Sequence, residues 1–495
     1  MIIIDGNNLS IEQVIAVSKD YEEISLSESA LNKIEKSHSS LMKIVASGKR
    51  VYGVNTGFGS LLNVDVGKED VIKLQSNLIR SHAAGYGPRL DDIHVRAMML
   101  VRLNSLCKGY SGVSRNLIEF LVNMLNRKVH PVVPRYGSVG ASGDLAPLAH
   151  VALAMMGEGK VATKGGEVDS NEAFHEVGMS PYSFAEKEGV AFINGTSTIS
   201  GILAVETSNA FHIFQSSLSS AAMAFEALKG TDKAFTSWAI EARGHQGQKK
   251  VATEMRRILQ GSENVRISGL NKVQDPYTLR CIPQVYGAVL DTMEYVKNVI
   301  TTEINSVTDN PLVNDEEYVS VGNFHGEPVA FACDFLAIAL TDLGNMIERR
   351  LARITDTNLS GLPPFLVERS GFNSGYMIPQ YTAAALCNRN KTLSTPSSAD
   401  TIPTSANQED HVSMGTNAAL KLVEIVNNLE GILAIEFLLS AQALEFIEKP
   451  VSPRVRETWK TVRNYVAKLE EDRPPAPDIA RIVELVRNGK LLPVT

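Results

Sequence analysis

The chain has 495 residues, of which 44% are apolar and 21% charged, a composition typical of a globular protein with a well-buried core. Its formal net charge of -7 argues against a nucleic-acid or anionic-membrane partner. The N-terminus lacks the basic region of a signal peptide, and glutamates interrupt the apolar runs, so we expect no membrane span. The four cysteines have no CxxC pairing, which favours reduced thiols and a cytoplasmic location.

The first distinctive segment is Val51–Ser60, which breaks the helical pattern with several glycines and carries Tyr52. The segment lacks the GK[ST] ending and the spacing of a dinucleotide fingerprint, so a nucleotide is not expected there. It predicts a mobile loop that presents a tyrosine. A helical pattern from Val71 to Ala83 follows and contains Ser81-His82. On its own, His82 is most simply a capping or core histidine.

The stretch Gly137–His150, GSVGASGDLAPLAH, places glycines at a spacing of three before an apolar helical run. In a strained turn, the unhindered amide of Gly143 can attack the carbonyl of Ala141. Loss of water from the ring and of the Ser142 hydroxyl then leaves a methylidene-imidazolone, an electrophile made from the backbone. The ordinary alternative is a helix start with Ser142 or Asp144 as the N-cap. The stretch alone leaves both interpretations open.

After a polar, Gly-rich excursion from Val161 to Ser180 that is compatible with a hairpin, the chain becomes strongly helical. Apolar residues at helical spacing predict long helices in the following segments: 201–228, 283–305, 328–356, 376–387, 412–448 and, last, 478–487. Helices of this length that are apolar around much of their circumference indicate a bundle with faces buried by other subunits. We therefore predict a mainly α homo-oligomer, with domains at 1–200 and 201–495.

Polar segments separate these helices. Tyr277 and Arg280 are three residues apart, on one side of a turn, and the planar guanidinium of Arg280 suits a carboxylate. Phe324 lies in the tight loop Gly322–Gly326, and Glu409 lies in a polar run before the longest helix, where it could simply cap or face solvent. The histidines and cysteines form no HExxH or other ligand grouping, so no metal site is expected.

These segments together resemble one family. The motifs YGVNTGFG, SHAAGYG, GSVGASGDLAPLAH, INGT, QDPYTLRC, NFHG and TSANQEDHVSMG occur in order from about residue 50 to 415 and are similar to those of the aromatic amino acid ammonia-lyases. The resemblance implies a mainly α fold of the ammonia-lyase long-helix type, with a loop-rich N-terminal part. It also implies a homotetramer whose active sites combine loops of more than one subunit.

The resemblance further implies that Ala141, Ser142 and Gly143 form 4-methylidene-imidazol-5-one (MIO), with no metal or nucleotide. It makes Tyr52 the base that removes the substrate β-proton. It makes Tyr277 a catalytic residue that positions the substrate and the electrophile. It assigns the remaining candidate residues to substrate binding: His82, Asn194, Gln274, Arg280, Phe324 and Glu409.

The substrate rests on few residues. Family members that act on tyrosine or phenylalanine typically carry His-Leu or Phe-Leu where this chain has Ser81-His82, and members that act on histidine carry the equivalent of Glu409. Both features favour L-histidine, a small-molecule substrate that would give trans-urocanate and ammonia. The alternatives are a tyrosine or phenylalanine lyase, a 2,3-aminomutase of the same family, or a non-catalytic helical binding assembly.

Overall fold

The fold is mainly α-helical, as predicted. The computed structural model describes residues 1–47, 56, 70–265, 273–315 and 317–494. The α-helices, in chain order, are α1 Ile11–Ser18, α2 Glu28–Ala46, α3 Val71–His82, α4 Asp92–Leu106, α5 Arg115–Asn126, α6 Leu145–Met155, α7 Ser170–Glu176, α8 Glu188–Ile193, α9 Ser197–Ala227, α10 Ser237–Glu241, α11 Gln246–Leu259, α12 Tyr277–Arg280, α13 Ile282–Glu303, α14 Glu327–Thr355, α15 Thr357–Ser360, α16 Met377–Leu393, α17 Gly415–Leu444, α18 Pro453–Arg463 and α19 Ala476–Arg487.

The strands are short and pair in small sheets. They are β1 Ile2–Ile4, β2 Ile24–Leu26, β3 Tyr86–Arg89, β4 His130–Pro131, β5 Pro134–Tyr136, β6 Lys160–Thr163, β7 Gly166–Asp169, β8 Leu312–Asn314 and β9 Glu317–Val319. Strands β1 and β2 are parallel, whereas β3–β5, β4–β6–β7 and β8–β9 are antiparallel. The β6–β7 pair is the hairpin expected in the polar excursion after residue 160.

The described residues group into two compact units that are each discontinuous in sequence. The first comprises Met1–Ser208, Lys297–Asp334 and Pro396–Leu420, and the second comprises Asn209–Val296, Phe335–Thr395 and Lys421–Thr495. The division into domains at residue 200 stays a prediction. Among the described residues, the segments that contain His82, Asn194, Phe324 and Glu409 belong to the first unit, and the segment that contains Tyr277 and Arg280 belongs to the second.

The core of the second unit tolerates charges because they are paired. Glu436, which interrupts the apolar run of α17, is fully buried, and its Oε1 accepts a 2.6 Å hydrogen bond from Nε of Arg350. Tyr286 and Ser220 also hydrogen-bond to this ion pair. A buried carboxylate with a cation and a hydroxyl partner avoids most of the penalty of an unpaired charge. The charge of Glu436 within the apolar run of α17 is therefore explained by its pairing with Arg350.

One described helix, α14, has the length and apolarity of a membrane span. Its most apolar window has a mean hydropathy of 1.4, and 61% of that window is buried within the protein. Core helices of globular proteins meet the same criterion. This helix is therefore explained by burial in the protein core.

Candidate active site

The Gly-rich stretch forms a tight turn before α6 in the first unit. Gly140 and Gly143 adopt positive φ angles of 68° and 70°. A Cβ atom on Gly143 would collide with the backbone carbonyl of Gly195, whose backbone forms an isolated bridge with Gly143. Position 143 therefore accepts only glycine, both for its left-handed backbone and for its close approach to Gly195.

Asp144 anchors this turn to the start of another helix. It occupies the N-cap position of α6 but does not cap that helix with its side chain. Instead, its Oδ2 accepts hydrogen bonds of 2.9 Å from the backbone N–H groups of both Thr198 and Ile199, in the first turn of α9. The ordinary interpretation of Asp144 or Ser142 as the cap of the following helix is thus wrong for both side chains.

The Asp144 carboxylate is fully buried, and its other oxygen lies 2.8 Å from the Thr416 hydroxyl and 3.4 Å from that of Ser138. Burial raises the pKa of Asp144 to about 6, and these hydrogen bonds act in the opposite direction. Its backbone N–H also donates to the carbonyl of Gly195 at 2.7 Å. Side chain and backbone together hold the turn at the N-terminus of α9.

The segment before α17 is fastened to the other side of the turn. The N–H of Met414 donates to the carbonyl of Val139 at 2.8 Å, and the hydroxyl of Ser413 donates to that of Gly140 at 3.2 Å. These hydrogen bonds join residues more than 270 positions apart in sequence, 273 for the Ser413 bond. They carry the polar run at 402–411 to the Ala-Ser-Gly tripeptide.

Ser142 and Glu409 meet as a result. The Ser142 hydroxyl donates a 3.0 Å hydrogen bond to Oε1 of Glu409. Ala141 and Gly143 are buried, whereas Ser142 and Glu409 are partly accessible. A carboxylate and the reactive tripeptide therefore share an accessible site, and neither residue's own helix or turn requires the contact.

His82 ends α3 with a defined tautomer. Its Nδ1 lies 2.9 Å from the carbonyl of Leu78 and 3.0 Å from the hydroxyl of Ser81, which itself donates to the same carbonyl. A carbonyl can only accept, so Nδ1 carries the proton and Nε2 is an acceptor. The pKa of His82 is lowered overall, because burial outweighs the opposing effects of the Leu78 carbonyl and the charge of Glu409. The ring is a neutral acceptor within the electrostatic influence of Glu409.

Asn194 lies directly before Gly195 and is buried. Its Nδ2 donates to the carbonyl of Asn310 at 3.3 Å. Its Oδ1 is buried and has no hydrogen-bond partner among the described residues. This buried acceptor lies beside the bridge between Gly143 and Gly195 and lacks the hydrogen-bond donor that buried polar atoms ordinarily have.

Phe324 is partly buried in the loop before α14, next to a histidine pair. Ligand atoms of His325, Glu327 and His411 lie within 4.8 Å of one another. Nδ1 of His325 accepts the N–H of Glu327, and its Nε2 lies 3.4 Å from Nδ1 of His411. With Nδ1 accepting this N–H group, Nε2 is the ring nitrogen of His325 that faces His411. Hydrogen bonding explains this cluster, and the expectation of no metal stays a prediction.

Gln274, Tyr277 and Arg280 belong to the second unit. Tyr277 and Arg280 are the first and last residues of the single-turn helix α12, with the guanidinium 4.7 Å from the centre of the Tyr277 ring. Nε of Arg280 is buried without a hydrogen-bond partner among the described residues, whereas Gln274 and Tyr277 are exposed. Tyr52 lies outside the described residues.

Sequence reasoning identified Ser142 and Glu409 but missed the residues that hold them. Thr198, Ile199 and Thr416 fix Asp144, and the Thr404 hydroxyl donates to Glu409 at 2.6 Å. The polar run TSANQEDHVSMG contained a signal for Thr404, because polar residues clustered away from a helix commonly organise a turn. No feature of the sequence near Asp144 indicated that its side chain would accept hydrogen bonds from the first turn of α9.

Fold and geometry define a mainly α-helical protein with an accessible site around an Ala-Ser-Gly turn that only glycine can complete. The chain belongs to the aromatic amino acid lyase family, whose model matches residues 9–464. The resemblance drawn from the motifs is thereby confirmed.

Relatives share the whole length of the chain. It is 59% identical over 492 residues to the probable histidine ammonia-lyase of Thermoplasma volcanium, covering 99% of both proteins. Its fold matches the crystal structure of histidine ammonia-lyase from Trypanosoma cruzi with a TM-score of 0.93 and 39% identity, covering 99% of this chain and 94% of that one. The tyrosine aminomutase of Streptomyces globisporus matches with a TM-score of 0.95 and 35% identity, covering 99% and 97%. The fold by itself therefore does not separate lyase from aminomutase.

Proposed function

We propose that this protein is a carbon–nitrogen lyase that removes ammonia from L-histidine and yields trans-urocanate, a histidine ammonia-lyase. The observation that carries the proposal is the hydrogen bond between Ser142 and Glu409, with His82 nearby as a neutral acceptor. It brings a carboxylate suited to an imidazole to the tripeptide that would form the electrophile. The 59% identical relative named a probable histidine ammonia-lyase supports the same substrate.

The tripeptide fits the formation of MIO. The N–C bond of the new ring would join Gly143 N to the Ala141 carbonyl carbon, with loss of one water, and elimination of the Ser142 hydroxyl would release a second. Gly143 is suited to this reaction because its amide carries no neighbouring side chain and its backbone adopts a left-handed conformation. Its close packing against the backbone of Gly195 leaves no room for a side chain. The group would supply an electrophile for the substrate. The hydrogen bonds that anchor the turn through Asp144, Ser413 and Met414 support its formation, because they hold the tripeptide in one conformation.

The imidazole of the substrate would lie between Glu409 and His82. Both present acceptors, the carboxylate of Glu409 and Nε2 of His82, and the two ring N–H groups of a protonated imidazole are the complementary donors. A phenyl ring has no such donor and would leave Oε1 of Glu409 without a partner once the Ser142 hydroxyl is eliminated. This difference favours histidine over phenylalanine.

The other groups of the substrate would meet the remaining candidate residues. We assign the carboxylate to Arg280, whose buried Nε has a donor to spare, with Tyr277 stacked against it. Asn194 would accept a donor through Oδ1, which has no hydrogen-bond partner among the described residues. Gln274 and Phe324 would line the site, a role proposed from the family motifs alone.

Tyr52, which is carried by the glycine-rich loop, would remove the β-proton of the substrate. This role too is proposed from the family motifs alone. We locate the enzyme in the cytoplasm because its four cysteines are free thiols.

A homotetramer would complete the site. In the second unit, an apolar groove between α13 and α14 has a volume of about 970 Å³ and is flanked by the half-exposed rings of Tyr295 and Phe335. Exposed aromatic residues along long helices are characteristic of subunit interfaces. We propose that a second copy of this chain covers the groove. Sedimentation at micromolar concentration should give the mass of four chains.

The test of the function compares substrates. The purified enzyme should convert histidine to a product that absorbs in the near ultraviolet, with tyrosine and phenylalanine turned over at least about 100-fold less efficiently. The native chain should be lighter than its sequence mass by two waters, and a Ser142→Ala chain should retain its calculated mass. Preferred turnover of tyrosine, or accumulation of a β-amino acid, would replace the assignment with a tyrosine lyase or an aminomutase.

A further inference from the structure

We propose that Thr404 is a positioning residue that clamps one carboxylate oxygen of Glu409, so that the other oxygen, held by Ser142 before MIO forms, is the one that binds the substrate. The inference rests on the proposed function and extends it to a residue with no assigned role. Its basis is the geometry of the polar run that precedes α17.

Thr404 and Glu409 face each other as a minimal antiparallel pair. The N–H of Thr404 donates to the carbonyl of Glu409 at 3.0 Å, and the N–H of Glu409 donates back at 3.3 Å. The Thr404 hydroxyl then donates to Oε2 of Glu409 at 2.6 Å. Backbone and side chain of Glu409 are thus fixed by the same residue. A short hydrogen bond to a carboxylate is among the stronger neutral-donor bonds.

The turn that closes this pair is strained. Ser405, Ala406 and Asn407 have φ angles of 51°, 52° and 66°, three successive non-glycine residues in the left-handed region. L-residues visit that region rarely and usually singly. Such strain persists only where the surrounding structure imposes it, and it clusters at functional sites. Because the strain destabilises the turn itself, we infer that the turn is retained for the group that it orients, which is Glu409.

The two oxygens of Glu409 have separate partners. Oε2 accepts from Thr404 and Oε1 accepts from Ser142 at 3.0 Å. The proposed formation of MIO eliminates the Ser142 hydroxyl and so deletes the donor to Oε1 while leaving the Thr404 bond intact. After this change, Oε1 faces the site without its donor, in a direction set by Thr404. The elimination that completes MIO would therefore also free Oε1 of Glu409 to bind the imidazole.

The experiment compares Thr404→Val, which keeps the shape and removes the hydroxyl, with Thr404→Ser, which restores it. The matched control is Thr302→Val on α13, where the exposed hydroxyl donates only to the Asn298 carbonyl of its own helix. Each variant is made in the full chain and in a Ser142→Ala background that binds histidine without turning it over. Intact mass, kcat, KM and the calorimetric dissociation constant for histidine are measured.

We expect all three single variants to lose two waters, so that the Thr404 effect is separate from MIO formation. In Thr404→Val, KM and the dissociation constant should rise by about 10- to 100-fold, the effect of losing a hydrogen bond to a charged group. Thr404→Ser should recover to within about threefold, and Thr302→Val should match the parent.

An unchanged dissociation constant in Thr404→Val, or a loss in Thr404→Ser as large as in Thr404→Val, would overturn the clamp. If the parent binds histidine but does not turn it over, the proposed function fails while the binding comparison still decides the role of Thr404. If the parent does not bind histidine, both proposals fail.

Discussion

Two carboxylates flank the Ala-Ser-Gly turn in opposite environments. Asp144 is fully buried, and two backbone N–H groups and two hydroxyls surround it. Glu409 is partly accessible and has two hydroxyl partners, one of which the proposed reaction removes. Both residues belong to or contact the same turn, yet Asp144 keeps all its partners and Glu409 would lose one of its two when the Ser142 hydroxyl is eliminated. The difference separates a group that holds the fold from a group that meets the substrate.

The largest effect should follow from Asp144→Ala. The change leaves the N–H groups of Thr198 and Ile199 buried without an acceptor, so the free energy of unfolding should fall by about 4 kcal/mol. Denaturant unfolding measures this loss. Asp144→Asn retains one acceptor oxygen and should lose roughly half as much. A loss below about 1 kcal/mol in Asp144→Ala would show that the buried carboxylate is not an anchor.

Glu409→Gln should give the reverse pattern. Loss of the charge that faces the imidazole should lower kcat/KM for histidine by about 100-fold, while the free energy of unfolding changes by less than about 1 kcal/mol. Steady-state kinetics and denaturant unfolding on the same preparation measure both quantities. A large loss of stability with normal kinetics would place Glu409 beside Asp144 as a structural group.

Thr416→Val removes a single hydroxyl from the Asp144 environment and leaves Glu409 untouched. Since the Thr416 hydroxyl lies 2.8 Å from Oδ1 of Asp144, the free energy of unfolding should fall by about 1.5 kcal/mol. The KM for histidine should remain within about twofold of the parent. A rise in KM comparable to that expected for Thr404→Val would mean that the two environments are not independent.

The smallest effect concerns the pH dependence of stability through His82. Burial lowers its pKa from 6.5, so the folded chain binds fewer protons here than the unfolded chain. The stabilising contribution is present above about pH 6.5 and is lost as the pH falls through the lowered pKa. The unfolding free energies of the parent and of His82→Gln should therefore converge between about pH 7.5 and 5. Parallel curves would contradict the shift.

Much of the fold was predictable because helical periodicity is local. The segments predicted at 283–305 and 328–356 correspond closely to α13 and α14. The helix predicted to end at Cys387 continues to Leu393, because its last turns are polar on the surface while Asn390 is buried against the carbonyl of Ile425. A buried polar residue that hydrogen-bonds to a neighbouring helix does not contribute to the apolar periodicity from which helices are predicted.

The candidate site was predictable only in part. Motifs singled out Ser142, His82 and Glu409 individually, but the hydrogen bond that joins Ser142 to Glu409 spans 267 residues. Asp144 was expected to support its own helix, and its carboxylate instead holds α9. Local capping rules describe the helix that follows a residue and contain no information about a different helix packed against it.

By itself, then, the sequence determined the helical character of the chain and the presence of a tripeptide whose glycine leaves the backbone free to react. These properties depend on neighbouring residues and on side-chain chemistry. Only the tertiary structure decided that Asp144 is fully buried and Glu409 partly accessible, and that Thr404 holds one of the Glu409 oxygens. Such differences depend on which groups packing brings together, and distant segments meet here because burying polar groups requires partners that local sequence does not supply.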